Sequence, residues 1–357
     1  MTRSAFVLGA TAALVGAFGW VALRTERAEA CGGFFPTTLS QKRRPSLAHE
    51  QALIIYDQKS GREHFIREVA FRRANEPFGF VVPTPTRPEV AAVIKSPFTD
   101  LRHAFGFGSP VVPGSRGGDV RAGTLGGGVD GTGVTLLDVK NVGSFTAFVL
   151  AATDENALSQ WLARQKLVKT PEAGAWLAHY VRLGFFFVAM RYEPKPEARR
   201  TMLSEPESAK SETMRISFAS PVPYYPYFEP ERPAAPNELR LLDLWVASNA
   251  AFEPVSLLER DGARRWVRPF RPGDRHERVQ AKLASVLEPE LWQLLPAGSI
   301  TVTTHQDQKV SRRGFGDVLF VPERAPELTP ARRSELGKLL AVLDPELGPS
   351  PGGAREP

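Results

Sequence analysis

Thirty-one prolines and 30 glycines are spread along 357 residues, and this punctuation limits the fold more than any other feature of the chain. Proline fixes φ and removes a backbone donor, while glycine supplies turn conformations that other residues avoid. The chain is therefore expected to build many short elements joined by rigid turns, although both residues stay far below collagen or low-complexity levels. A composition of 42% hydrophobic, 10% aromatic and 24% charged residues suits one large or two modest buried cores. It excludes wholesale disorder and a multi-span membrane protein. The single cysteine excludes an intrachain disulfide and a Cys-rich zinc site.

The first 30 residues read as an export signal. Arg3 precedes an uncharged apolar run from Ser4 to Leu23, and Arg24-Thr25-Glu26-Arg27 leads to Ala28-Glu29-Ala30. Small residues at 28 and 30 suit signal peptidase and place the mature N-terminus at Cys31. The run exceeds the usual ~7–15 residues of a signal core and approaches the ~20 that span a bilayer, so residues 4–23 as a retained anchor are an alternative. A further alternative is a lipid on Cys31. Against it, Ala28 stands where such signals carry a Leu-like residue, and the polar stretch Arg24 to Arg27 intervenes. All three readings put the bulk of the chain outside the cytoplasm.

Net charge is +6, and removing residues 1–30, with three Arg and two Glu, leaves +5. The basic residues come as scattered pairs such as Arg43-Arg44, Arg72-Arg73 and Arg264-Arg265. A diffuse charge neutralises few phosphates at once, which argues against nucleic acid as a partner. The densest segment, Arg268 to Arg278, suits an anionic lipid or envelope polymer.

Strand-like runs Glu50–Asp57 and Arg62–Arg72 flank Gln58-Lys59-Ser60-Gly61, a hairpin signal, and a third run at Phe78–Val82 extends it to an antiparallel meander. Ser96 and Pro97 open a short helix to Ala104. Between Gly106 and Gly133, 11 of 28 residues are glycine, which predicts a long flexible loop. Strands follow at 134–139 and 145–151. A helix capped by Thr153 or Asp154 carries Leu158, Trp161 and Leu162 on one stripe, and a second, opened by Pro171, carries Trp176, Leu177, Tyr180 and Val181. Gly184 stops it before the apolar strand 185–191. Strands at 213–219, 239–247, 299–306 and 317–321, helices at 278–287 and 289–295, and a closing helix from Pro330 complete the reading. Residues 221–236 read as extended, polyproline-like backbone.

Candidate chemistry is sparse. An exposed N-terminal Cys31 has a base in its own α-amine, the arrangement of an N-terminal nucleophile hydrolase. Its blander roles are a lipid site, an intermolecular partner or a small buried residue. The six histidines show no metal-ligand spacing, so no metal or other cofactor is expected. His64 shares a polar face with Glu68, His179 lies off its helix's apolar stripe, and His305 and Asp307 share a strand face with Thr301 and Thr303. Asp138 and Asp243 sit within apolar runs that favour a raised pKa. The glycine-rich loop lacks a phosphate-loop ending. Tyr224, Tyr225 and Tyr227 lie between prolines, as a rigid aromatic platform for peptide or sugar or as a loop over a sheet edge.

Several segments taken together resemble an exported bacterial family, domain of unknown function 2330. They are Cys31-Gly32-Gly33-Phe34-Phe35, the strand Phe78-Gly79-Phe80-Val81-Val82-Pro83, the glycine-rich loop, and the block from Ala147 to Leu167 followed by Leu177 to Arg191. The resemblance runs from about Cys31 to about Val255 and implies an envelope location without an assigned activity. Where the family has a further cysteine after CGGFF and others in the loop, this chain has Pro36 and none. A family-type disulfide through Cys31 thus lacks an intrachain partner.

The expected fold class is α+β, mainly antiparallel sheet with packed helices, in two intimately joined halves (31–192 and 213–345) before a disordered tail (346–357). The expected function is an exported, noncatalytic binding or structural protein of the cell envelope. Its expected partner is a peptide, a glycan or an anionic lipid surface. An N-terminal cysteine hydrolase and a lipid-anchored surface protein are the alternatives.

Overall fold

The computed structural model describes residues 33–37, 46–72, 77–107, 123–125, 129–130, 133–167, 169–193, 208–230, 241–309, 312–323 and 330–343. Three sheets dominate it. The central one has eight strands, ordered β17 (Arg271–Glu277), β18 (Thr301–Asp307), β14 (Leu241–Ser248), β2 (Ser46–Asp57), β3 (Arg62–Arg72), β12 (Met214–Ala219) and β5 (Glu89–Ala92), with β11 (Ser208–Lys210) also on β3. The Gln58-to-Gly61 turn sets its register, with Asp57 opposite Arg62. Gly61 supplies the left-handed φ of +67° that the turn needs. Strands β14 and β2 run parallel, whereas the other described pairs are antiparallel.

Both faces of the central sheet are covered, which explains the unbroken apolar runs of β2 and β14. Ala52, Ile54 and Tyr56 project into the larger core, and the intervening Leu53 and Ile55 project into a second one. The second core is closed by α1 (Phe98–Phe105), α4 (Gln280–Val286) and α5 (Pro289–Trp292), whose Phe98, Leu101, Phe105, Leu283 and Leu291 are buried against Trp245. The larger core is shared with a seven-stranded sheet, ordered β1 (Gly33–Pro36), β4 (Phe78–Thr84), β10 (Phe186–Tyr192), β9 (Phe145–Ala152), β8 (Val134–Val142) and β6 (Gly123–Leu125), with β7 (Val129–Asp130) also on β8. Helices α2 (Glu155–Arg164) and α3 (Pro171–Arg182) bury Leu158, Trp161, Leu162, Trp176, Leu177 and Tyr180 in that core. Asp154 caps α2 by accepting from the Ala157 N–H, and Thr170 caps α3 by accepting from Ala173.

The third sheet has four strands, β13 (Tyr224–Tyr225), β19 (Phe315–Pro322), β15 (Phe252–Arg260) and β16 (Ala263–Val267), in that order. Helix α6 (Pro330–Leu343) packs Leu336, Leu339, Leu340 and Leu343 on the larger core.

The fold is broadly α+β, with strand prevailing over helix. Four expectations change. The third strand of the predicted meander leaves for the other sheet, where β4 pairs with β1 and β10, because its seven residues are all buried and need cover on both sides. Ser96 does not cap α1. Its hydroxyl is buried without a partner among the described residues, and Pro97 takes the cap position. Part of the glycine-rich stretch pairs with β8, as β6 and β7. The chain does not divide into sheets near residues 193–212, since the central sheet takes β2, β3 and β5 from before that point and β11, β12, β14, β17 and β18 from after it. The expected tail, 346–357, lies outside the described residues.

Candidate functional site

Asp261 and Gly262 form the two-residue turn between β15 and β16, with φ of +55° and +75°. That pair of left-handed residues is the signature of a type I′ hairpin, whose twist matches its strands. It aligns Leu257 with Trp266 and Glu259 with Arg264 across the ladder. Beside them, Gly314 and Gly316 leave the sheet surface open. A Cβ on Gly314, at φ +78°, would collide with the Glu259 carbonyl.

These features frame a cavity of about 720 Å³. Its walls are aromatic and aliphatic, from His179, Phe228, Leu257, Trp266, Phe315 and Leu343, and its polar lining includes Arg260, Arg264, Arg313, Glu259 and Asp261. The lining is mixed, with apolar walls beside six Arg, Asp and Glu residues out of fifteen. It is more polar than the mostly apolar clefts that hold drug-like ligands, but its convergent charged groups can orient one. Two lining groups, His179 and Asp317, have shifted protonation. Burial, aided by the Arg182 charge, lowers the His179 ring to about 4, so it is neutral near pH 7, packed against Tyr180 and Phe228. The Trp266 indole N–H is buried and has no partner among the described residues, an unmet donor in the wall.

Asp317 lies beneath this wall. Its carboxylate accepts from the Tyr180 hydroxyl at 2.9 Å, the Tyr224 hydroxyl at 2.7 Å and the Phe228 N–H at 2.9 Å. Burial nevertheless raises its pKa to about 6 against those lowering bonds. A carboxylate so fully engaged holds the fold in place. Two more buried acids fasten the same segment: Glu63 accepts from the Tyr224 N–H at 2.7 Å, and Asp307 from the Tyr227 hydroxyl at 2.8 Å.

The proposed aromatic platform is thereby corrected. Tyr224, Tyr225 and Tyr227 are each 0% exposed, with the Tyr224 and Tyr227 hydroxyls and the Tyr224 N–H turned to internal acids and the Tyr225 ring packed against Phe65 and Phe270. The segment does pair at a sheet edge, as β13 on β19. The strand face of His305, Asp307, Thr301 and Thr303 does not face solvent. His305 and Asp307 are buried, and Asp307 is bound by Arg312 and Lys309. Burial raises Asp307, but the Arg312 and Lys309 charges and the Tyr227 bond outweigh it and lower its pKa. Asp243 is likewise lowered, because bonds from His49 and Gln306 and the Arg102 charge outweigh burial. It is an ionised anchor for His49 (2.9 Å) and Arg102 (2.5 Å), unsuited to general-acid work. Asp138 is partly exposed beside Lys140. His64 is half-buried on Ser217, and Glu68, expected on an open face, is buried and held by Thr213 and Lys210.

Cys31 and residues 1–30 lie outside the described residues. Among the described residues, no group of three or more His, Cys, Asp or Glu is arranged to hold a metal, and no helix is long and apolar enough to cross a membrane.

A family model described as "Uncharacterized protein conserved in bacteria (DUF2330)" matches residues 26–251. It includes His179 and Phe228 of the cavity and ends before β15. No curated protein matches the chain. Among solved structures, baculovirus P35 is similar to it at a TM-score of 0.32 and 7% identity, over 79% of this chain and 92% of that one. At that score the likeness has no bearing on fold or function.

Proposed function

The chain belongs to the bacterial family DUF2330, and from that premise we propose that it is an exported cell-envelope protein that acts by binding an anionic ligand in the arginine-rimmed cavity. The basic end, apolar core and Ala28-Glu29-Ala30 of the first 30 residues support export. The cavity carries the binding reading: rings and aliphatic side chains take up the body of a ligand, and Arg260, Arg264 and Arg313 outnumber the lining acids Glu259, which pairs with Arg264 at 3.0 Å, and Asp261, so the rim favours a negative group.

Small probes test it. N-acetyl-phenylalanine, with a ring and a carboxylate, is expected to bind the mature protein in calorimetry, and phenylalaninamide, with a ring and a cation, at least tenfold more weakly. Arg264→Glu should abolish the difference. Equal binding of both probes, or of neither, would refute the reading.

A further inference from the structure

The cavity is lined in part by β16, an edge strand of the small sheet. Strand β16 is the last in the order β13, β19, β15, β16, and no described strand pairs with its far edge. Its first three residues, Ala263, Arg264 and Arg265, are exposed. In a two-residue hairpin the closing pair, here Arg260 and Ala263, exchanges both ladder bonds. Alternation then turns Arg265 and Val267 inward and leaves the N–H and C=O of Arg264 and Trp266 on the outer edge. The same two residues send their side chains to the cavity. One pair of residues therefore offers backbone bonds along the edge and a charged and an aromatic side chain on the face beside it.

We propose that β16 and the cavity together form a binding site for an extended acidic peptide, which adds as a fifth strand on β16 and places alternate side chains over the cavity. This rests on reading the cavity as a ligand site. The geometry matches strand addition, in which main-chain bonds give affinity and pockets for every second side chain give selectivity. An added strand would lie ~4.8 Å from β16, with successive side chains on one face ~7 Å apart. A cavity of about 720 Å³ has room for more than one of them. On the cavity face β16 presents Arg264, which pairs with Glu259 at 3.0 Å, while Arg265 lies on the opposite face. Arg260, Arg264 and Arg313 together outnumber the exposed acids Glu259 and Asp261 in the lining, so acidic residues over the cavity complement its net positive rim, with an aromatic residue between them against Trp266 and Phe315. A glycan lacks the backbone donors and acceptors that such an edge demands.

The test uses the mature protein and the capped peptide acetyl-Glu-Thr-Phe-Thr-Glu-Thr-amide, which puts both acids and the ring on one face of a strand. Two versions are methylated on alternate backbone nitrogens, and a third carries Lys in place of Glu. The expected result is saturable binding of the parent peptide, a loss of tenfold or more for one methylated version and for the Lys peptide, and a similar loss for the surface variant Arg264→Glu. Equal binding of the parent and both methylated peptides overturns strand addition. If N-acetyl-phenylalanine still binds in that case, the cavity reading survives alone, and if neither peptide nor small probe binds, both fall. Binding to phosphatidylglycerol vesicles without peptide binding would assign the arginines to a lipid surface and overturn the proposal.

Discussion

His305 and Asp317 are buried titratable groups that respond to acid in opposite senses. Burial lowers His305 from 6.5 to about 4, and its ring sits against Phe270 and Phe320 with Nδ1 lacking a partner among the described residues. The unfolded chain takes up that proton near pH 6.5 and the folded chain only near 4, so His305 contributes stability above 6.5 that is lost as the pH falls between those values. The full loss is on the order of 3 kcal/mol, and roughly 2 kcal/mol of it arrives between pH 7 and 5. Asp317, raised from 3.8 to about 6, works the other way: the fold keeps its proton longer, so stability from this group is fully present below about 4 and declines as the pH rises through 6. Urea unfolding of His305→Phe is expected to show a shallower fall in stability from pH 7 to pH 5 than the parent. Asp317→Asn is expected to show a steeper one. An unchanged slope in either variant contradicts the assignment.

At the scale of elements, close approach and buried charge decide more than propensity. Gly79 in β4 is one such point, since a Cβ there would meet the Leu167 side chain at 2.5 Å and the Met190 carbonyl at 3.0 Å. Gly79→Ala is therefore expected to lower stability by ~1–3 kcal/mol in denaturant unfolding, through overpacking. The Glu50–Arg67 pair is another. Both side chains are fully buried with their charged groups 3.1 Å apart, and neither finds a further hydrogen bond among the described residues, although the Arg67 guanidinium lies over the rings of Phe65 and Phe80. Removing one partner strands a buried charge, so Arg67→Met alone should cost about 3–5 kcal/mol, whereas Glu50→Leu with Arg67→Met should be neutral or stabilising. A double variant as damaged as the single one would show that the pair is held by bonds that burial has hidden.

Elements were also where the sequence was most readable. The 58–61 turn, the Asp154 cap, Pro171 at the first turn of α3 and the apolar stripes of α2 and α3 are local signals, and each reappears in the structure. The hairpin β15–β16 escaped because the arginines of residues 260–265 hid its alternation, although Asp261-Gly262 is a strong hairpin turn. The Tyr224–Tyr227 segment was misjudged for a different reason. Prolines give its backbone an extended shape, but the three acids that bury it come from β3, β18 and β19, far away in sequence.

For the whole molecule, the family resemblance was legible as an order of weak motifs between Cys31 and Val255, and the matched residues 26–251 cover the same span. The candidate site was not legible. It forms where α3, the 221–230 segment, the hairpin, residues 313–317 at the start of β19 and α6 meet, a convergence of five separated stretches that no local pattern encodes. The proposed export makes its own prediction: the protein isolated from the cells that produce it should have the mass of a chain starting at Cys31. A further mass increment with detergent partitioning would indicate a lipid on that residue, and retention of residues 1–30 would indicate the anchor. If Cys31 is a nucleophile, a thiol-reactive probe should label it at neutral pH and fail on Cys31→Ala.

The central claim is that the arginine-rimmed cavity takes a ligand, and the Trp266 indole reports on it directly. In ¹⁵N–¹H spectra of the mature protein titrated with N-acetyl-phenylalanine, the Trp266 side-chain resonance is expected to shift and saturate. The indole of Trp292, exposed on α5, is expected to stay in place. A Trp266 signal that does not move at saturating probe, or that moves no more than Trp292, would contradict the account.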